Sequence, residues 1–238
     1  MEQDSNRLMK EAAGKAVVDS MVKSGMKLGL GTGSTAIHAV WRVGELLAQG
    51  VLRDITAFAT SFQTEIECEK LGIPVYTLNS RELSGGLDLT IDGADEVDPQ
   101  NFLIKGGGGA HLIEKLAAYA SSAFAVIVDE SKLTERLGMG FPVPVEVVPE
   151  ARVLAGRVLE KFGATVMLRE ALRKAGPVIT EHGNLILDIR FGSPVDPAIM
   201  ETELNKIPGV VENGFFTRKP PVVFIAHSDG TIETRGSF

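Results

Sequence analysis

At 238 residues, 44% hydrophobic and 23% charged, the chain has ordinary globular composition and room for one large domain or a medium and a small one. Its net charge of −7 excludes a general affinity for nucleic acid, so an anionic ligand needs its own local donors and cations. The single cysteine, Cys68, excludes an intrachain disulfide and reads as a buried small apolar residue in a reducing compartment.

Residues 1–7 carry no apolar run after their charges, so no secretory leader is expected. No stretch approaches the ~20 apolar residues of a membrane span. A cytoplasmic protein with no membrane or nucleic-acid partner is the expectation. Residues 7–23 place Leu8, Ala12, Ala16, Val17 and Met21 at helical spacing, with Lys10 and Lys15 on the flanks. Met26 to Leu30 is a short strand that runs into Gly31-Thr-Gly-Ser-Thr35, and 35–49 is a helix. Ile55 to Ala59 is a strand ending at Thr60-Ser-Phe-Gln-Thr64, and 64–71 a helix closed by Gly72. Strands follow at Val75 to Leu78, at Leu87 to Ile91 and, after a glycine-led helix, at Ala123 to Val128. This rhythm predicts an α/β fold, a parallel sheet covered by helices, with ligands outside the carboxyl ends of the strands.

The pattern changes near Gly138-Met-Gly-Phe-Pro-Val-Pro144. A strand (143–148), a helix from near Pro149 to before Gly163 and a strand (164–169) are predicted. A hairpin, Pro177 to Thr180 and Leu185 to Phe191, turns at His182-Gly-Asn184. A helix from Pro197 to Lys206 and a strand near Val210 to Phe216 complete a small, mostly antiparallel α+β layer. The apolar segment 220–226 is a strand that can return to the first sheet, making the small domain an insertion.

Four constellations can carry chemistry. In Gly29-Leu-Gly-Thr-Gly-Ser-Thr35, glycines and a helix start offer backbone N–H groups, and Thr32, Ser34 and Thr35 add hydroxyls. This is a phosphate cradle or a tight capped turn; the motif is neither a dinucleotide fingerprint nor a P-loop. The loop 60–64 is similar but mostly capping. In Asp92-Gly-Ala-Asp-Glu-Val-Asp98, Asp92 and Asp95 are the pair suited to one ligand, and Glu96 and Asp98 are expected to face solvent or a subunit contact. A solvated acidic turn is the alternative. In Lys105-Gly-Gly-Gly-Gly-Ala-His-Leu-Ile-Glu114, the glycines cost backbone entropy and belong where chain must come close to something. Lys105 can neutralise an oxyanion, and Glu114 can remove a proton from carbon or be an ordinary helix glutamate. His111, three residues before Glu114, is a rival base or a structural neighbour. Lys132, after the strand 123–128, and Lys10 can supply charge to a phosphate held by the Thr32 loop, or be solvated lysines.

Together with Phe141-Pro-Val-Pro-Val-Glu-Val147 and Ile207-Pro-Gly-Val-Val-Glu-Asn-Gly-Phe-Phe216, these motifs resemble ribose-5-phosphate isomerases of the A type over nearly the whole chain. The resemblance implies a Rossmann-like domain, 1–137 and 217–238, with a ferredoxin-like α+β assembly domain, 138–216, inserted near the C-terminal end. It implies Glu114 as general base and Lys105 as stabiliser of the charged intermediate. Asp92 and Asp95 would meet the sugar hydroxyls and ring oxygen. Thr32, Gly33, Ser34, Thr35, Gly93, Ala94, Gly106, Gly107, Gly108 and Lys132 would contact substrate, with Lys10 on the phosphate. Gly109 extends the run beyond the usual family pattern and is expected mainly to loosen the helix start. Conversion of D-ribose 5-phosphate to D-ribulose 5-phosphate in the pentose phosphate pathway, no metal or organic cofactor, and a homodimer are the further implications. The competing readings are a coenzyme A transferase-like enzyme, for which the chain is short, and a non-catalytic sugar-phosphate sensor, which would normally carry a basic DNA-binding helix pair.

Overall fold

The computed structural model describes residues 2–237, and the backbone alone for 2–6; the polar start read above for a leader lies largely outside the described side chains. In chain order the elements are α1 (Glu2–Met21), β1 (Lys27–Leu30), α2 (Gly33–Ala48), β2 (Thr56–Ala59), α3 (Phe62–Lys70) and β3 (Leu87–Asp92). Then come β4 (Glu96–Val97), β5 (Leu103–Ile104), α4 (His111–Ala120), β6 (Ser121–Asp129), a 3-10 turn (Glu130–Lys132) and β7 (Val143–Val147). After a 3-10 turn at Pro149–Ala151 follow α5 (Arg152–Lys161), β8 (Ala164–Leu168), β9 (Leu185–Phe191) and α6 (Pro197–Leu204). The chain finishes with β10 (Val210–Asn213), β11 (Phe215–Phe216), β12 (Val222–Ala226) and β13 (Ile232–Arg235).

Two compact units result. The first runs to Gly93 and takes in Ile113–Lys132 and the chain from Pro221; the second is Ala94–Leu112 with Leu133–Pro220. Residues 94–112 thus group with the second unit, whereas the sequence reading kept them in the first. The cause is pairing: β5 bonds to β11, so this segment belongs to a three-stranded sheet, β11-β5-β4.

The first unit holds a six-stranded sheet in the order β13-β12-β6-β3-β1-β2, parallel but for the edge strand β13. Phe124 to Val128 in β6 and all of β12 are buried, as expected for parallel strands covered on both faces. In α2, Ala36, Ile37, Ala39, Val40, Val43 and Leu46 recur at helical spacing and form the buried face. α1 crosses α2 so closely that a Cβ on Gly14 would lie 2.7 Å from His38 Cβ. After β1 the chain steps outward to β2, then returns to the other side of β1 as β3. That reversal makes the carboxyl ends of β1 and β3 a topological switch point, where open α/β sheets bind ligands. The segment 220–226 does return to this sheet, parallel to β6.

The second unit contains β7-α5-β8-β9-α6-β10, with the antiparallel order β10-β7-β9-β8, the ferredoxin-like arrangement. Three sequence expectations need correction. Residues 75–78 form no strand: Val75 makes a single bridge to Ala57. Residues 177–180 likewise contribute isolated bridges, Pro177 to Glu170 and Ile179 to Leu185, not a hairpin arm. The strand read at 210–216 breaks at Gly214, which donates to Pro144 O at 2.8 Å and accepts from Lys105 N at 3.0 Å. Gly214 thereby serves two sheets, and a Cβ there would meet Lys105 O at 2.5 Å.

Candidate active site

The first unit gathers the glycine–threonine loop and Asp92 at the switch point. Gly31 donates to Ile91 O at 2.9 Å, and a Cβ on residue 31 would lie 2.1 Å from Asp92 Oδ1. With that space open, Asp92 Oδ1 accepts from Thr32 N at 3.1 Å and from Gly93 N at 2.8 Å. The carboxylate is fully buried and is oriented by backbone donors. Thr32 precedes α2 but makes no side-chain cap bond; its hydroxyl is 2.6 Å from Thr60 Oγ1 and donates to Ser61 Oγ at 2.7 Å. Ser61 also caps α3, accepting from Thr64 N at 3.3 Å. The loop after β2 therefore braces the loop after β1. Lys10 Nζ, from α1, donates to Ser34 Oγ at 2.9 Å on the first turn of α2.

Glu114 lies in the first turn of α4 and is 5% exposed. Because α4 ends where β6 begins, its first turn lies toward the opposite, carboxyl edge of the sheet. Thr90 Oγ1 of β3 donates to Ala117 O at 2.9 Å, fastening α4 to the strand that ends in Asp92. Lys132, itself half-buried, closes the otherwise exposed 3-10 turn after β6, at the same edge.

The second unit presents Asp95 and Lys105. The register Glu96↔Ile104 and Val97↔Leu103 sets these two residues side by side at the open end of the β4–β5 hairpin, where Asp95 N donates to Ile104 O at 2.8 Å. Lys105 is 3% exposed, its Nζ 5.6 Å from the centroid of the Phe216 ring. Gly107 N donates to Asp95 Oδ2 at 2.7 Å, and a Cβ at 107 would sit 2.7 Å from Asp95 Oδ1. Gly106 has φ +104°, and a side chain there would strike His111 Nδ1 at 2.7 Å. Gly109 has φ +81° and donates to Gly106 O at 3.0 Å, so it closes the turn before α4 as well as lengthening the run.

One sequence expectation fails here. Glu96 and Asp98 are not solvent-facing: both are buried as backbone clamps. Glu96 accepts from Gly138 N at 2.7 Å and Phe141 N at 2.6 Å, and Asp98 Oδ1 from Gln100 N at 2.9 Å and Phe102 N at 2.8 Å. His111, the rival base, is fully buried, with Nε2 4.0 Å from the equally buried Glu146 Oε2. Thr180 Oγ1 and Asn184 Nδ2 each donate to Glu146 Oε1 at 2.8 Å.

Arg169 escaped the sequence reading. It pairs with Asp188 through Nε at 2.8 Å and Nη2 at 2.5 Å, and Nη1 donates to the carbonyls of Gly106 at 2.8 Å and Gly107 at 3.1 Å. One guanidinium thus holds the first half of the glycine run. Nothing in the local sequence marks it, because the carbonyls it holds lie more than 60 residues upstream. Among the described residues, no group of three or more His, Cys, Asp or Glu side chains is arranged to hold a metal ion.

Comparison with known proteins identifies the family. Residues 56–230 match the family model of ribose 5-phosphate isomerase A (phosphoriboisomerase A). The ribose-5-phosphate isomerase A of Treponema denticola is 52% identical over 236 residues, 97% of this chain and 99% of the relative. The solved isomerase A of Methanocaldococcus jannaschii superposes with a TM-score of 0.89 at 41% identity, covering 96% of this chain and 98% of that one. A D-ribose-5-phosphate isomerase solved in complex with phospho-erythronic acid gives 0.91 at 39% identity, covering 96% and 98%. With sequence and fold matched over nearly its whole length, the chain belongs to the ribose 5-phosphate isomerase A family.

Proposed function

We propose that this chain is an aldose–ketose isomerase interconverting D-ribose 5-phosphate and D-ribulose 5-phosphate, a step of the non-oxidative pentose phosphate pathway. The observation that carries the reading is family membership along nearly the full chain. The buried Glu114, Lys105 and Asp92 supply residue types suited to the reaction. A transferase or a sensor is not favoured by these relatives.

In the proposed mechanism the sugar phosphate opens with help from Asp92, and Asp95 holds its hydroxyls. Glu114 removes the proton on C2. The C–H electron pair forms the C1–C2 double bond of a cis-enediolate, and charge moves onto O1. Lys105 and backbone N–H groups of Gly106, Gly107 and Gly108 stabilise that oxyanion. Glu114 returns the proton to C1, and the O2 hydroxyl loses its proton as the ketone forms while O1 gains one. Atoms and electrons balance within the substrate. One base suffices because C1 and C2 are adjacent on one face. Lys10, Lys132 and the Thr32–Thr35 loop with Gly33 take the phosphate end, and Gly93 and Ala94 let the chain pass close to the sugar. The open-chain phosphorylated acid bound by one solved relative is chemically close to this enediolate.

A homodimer in the cytoplasm completes the reading. It is supported by the family resemblance alone; among the described residues no helix is long and apolar enough to cross a membrane. Conversion of ribose 5-phosphate in the presence of EDTA tests the activity, and light scattering the assembly. Tight binding without turnover would instead make the chain a sensor.

A further inference from the structure

We propose that His227 is a positioning residue for Lys132: as an imidazolium bridging Glu130 and Glu233, it clamps the 3-10 turn that presents Lys132 to the substrate. The inference rests on the reading of Lys132 as a substrate contact, and it concerns the first unit alone.

β6 and β12 are parallel neighbours with Asp129 opposite Ala226, so the turns that leave them, Glu130–Lys132 and His227–Thr231, start side by side. His227 Nδ1 is 2.9 Å from Glu130 Oε2, and Nε2 is 3.0 Å from Glu233 Oε2 on the edge strand β13. Ser228 N donates to the other Glu130 oxygen at 3.2 Å. Glu130 is therefore held on both oxygens by the neighbouring turn. That turn is itself closed, by His227 N to Thr231 O and Gly230 N to His227 O, each 3.0 Å. Asp129 Oδ1 accepts from Ser131 N at 3.0 Å and from the Ser131 hydroxyl. Both residues before Lys132 are thus tied down.

A neutral imidazole has one N–H and can donate to only one of the two carboxylates; the imidazolium donates to both. The charged groups facing the ring are Glu130, Glu233 and, in its own turn, Asp229, whose carboxylate is engaged by Thr231. The hydrogen bond to Glu130, then that to Glu233, raises His227 above the ordinary histidine range. The double bridge is therefore complete below that range and is lost as pH rises through the raised value.

The test is steady-state kinetics of the full chain from pH 6 to pH 9, comparing wild type with His227→Gln, His227→Arg, Lys132→Ala and the double variant His227→Gln/Lys132→Ala. Because the pairs are partly exposed, the expected effect is modest: His227→Gln raises KM at pH 6 by ~3-fold, with little change in kcat. The KM ratio of wild type to His227→Arg, in which substrate ionisation cancels, should rise with pH, since arginine keeps its charge throughout. On the Lys132→Ala background, adding His227→Gln should change nothing further. If Lys132→Ala raises KM but His227→Gln does not, or if the two effects add fully, the clamp is overturned and the substrate contact stands. If Lys132→Ala leaves KM unchanged, the reading of Lys132 fails and takes the clamp with it.

Discussion

Gly31 and Asp92 occupy neighbouring strand ends so tightly that a single methyl on residue 31 would overlap the Asp92 carboxylate, at 2.1 Å from Oδ1 and 2.6 Å from Cα. Gly31→Ala should therefore push Asp92 off the amides of Thr32 and Gly93. Overpacking of this kind costs about 1–3 kcal/mol of stability. Displacement of the carboxylate should also lower kcat/KM by ~10-fold or more. Denaturant melts paired with the isomerase assay separate the two effects. Unchanged kinetics in a folded Gly31→Ala protein would remove Asp92 from the proposed chemistry.

Glu114→Gln keeps the size of the side chain but removes the proposed base. Turnover should fall ~100-fold or more while substrate affinity is largely kept. Isothermal titration with ribose 5-phosphate, beside a turnover assay, gives both numbers. Near-normal turnover would transfer the role to another group.

Arg169→Ala frees the carbonyls of Gly106 and Gly107 and strands Asp188. A small misplacement of the glycine run beside Lys105 should cost ~10-fold in kcat/KM. Arg169→Lys should not restore the loss, since an ammonium cannot hold a carboxylate in a fork and two carbonyls together. Full activity in Arg169→Ala would mean that the run is held without it.

Cys68 is fully buried, and burial pushes its thiol up to about 12. In the native protein a thiol reagent at pH 8 should modify it only when the first unit opens. Labelling should therefore accelerate with denaturant in step with unfolding. Rapid labelling without denaturant would show local opening around α3.

The parallel sheet was legible because buried parallel strands read as short apolar runs, and the loops after β1, β3 and β6 stand out by glycine, aspartate and lysine. Residues 75–78 and 177–180 misled for the same reason: apolar residues near a sheet look like strand whether or not they find more than one bridging partner. Glu96 and Asp98 show another limit. An acidic side chain bonded to backbone amides is indistinguishable in sequence from one bonded to water. Arg169 shows the largest, since a residue that acts through distant carbonyls leaves no local pattern.

The glycine run is not uniform, and that has a practical use. Positions 106, 107 and 109 each meet a neighbour or a left-handed backbone, whereas Gly108 is exposed, needs no unusual φ and has nothing within 4 Å of where a Cβ would sit. With the native thiol shielded, a cysteine introduced at 108 would be the sole accessible thiol on the chain. A fluorophore or spin label attached there would test the proposed site directly, since its signal should change on adding ribose 5-phosphate only if the sugar phosphate comes close to the run.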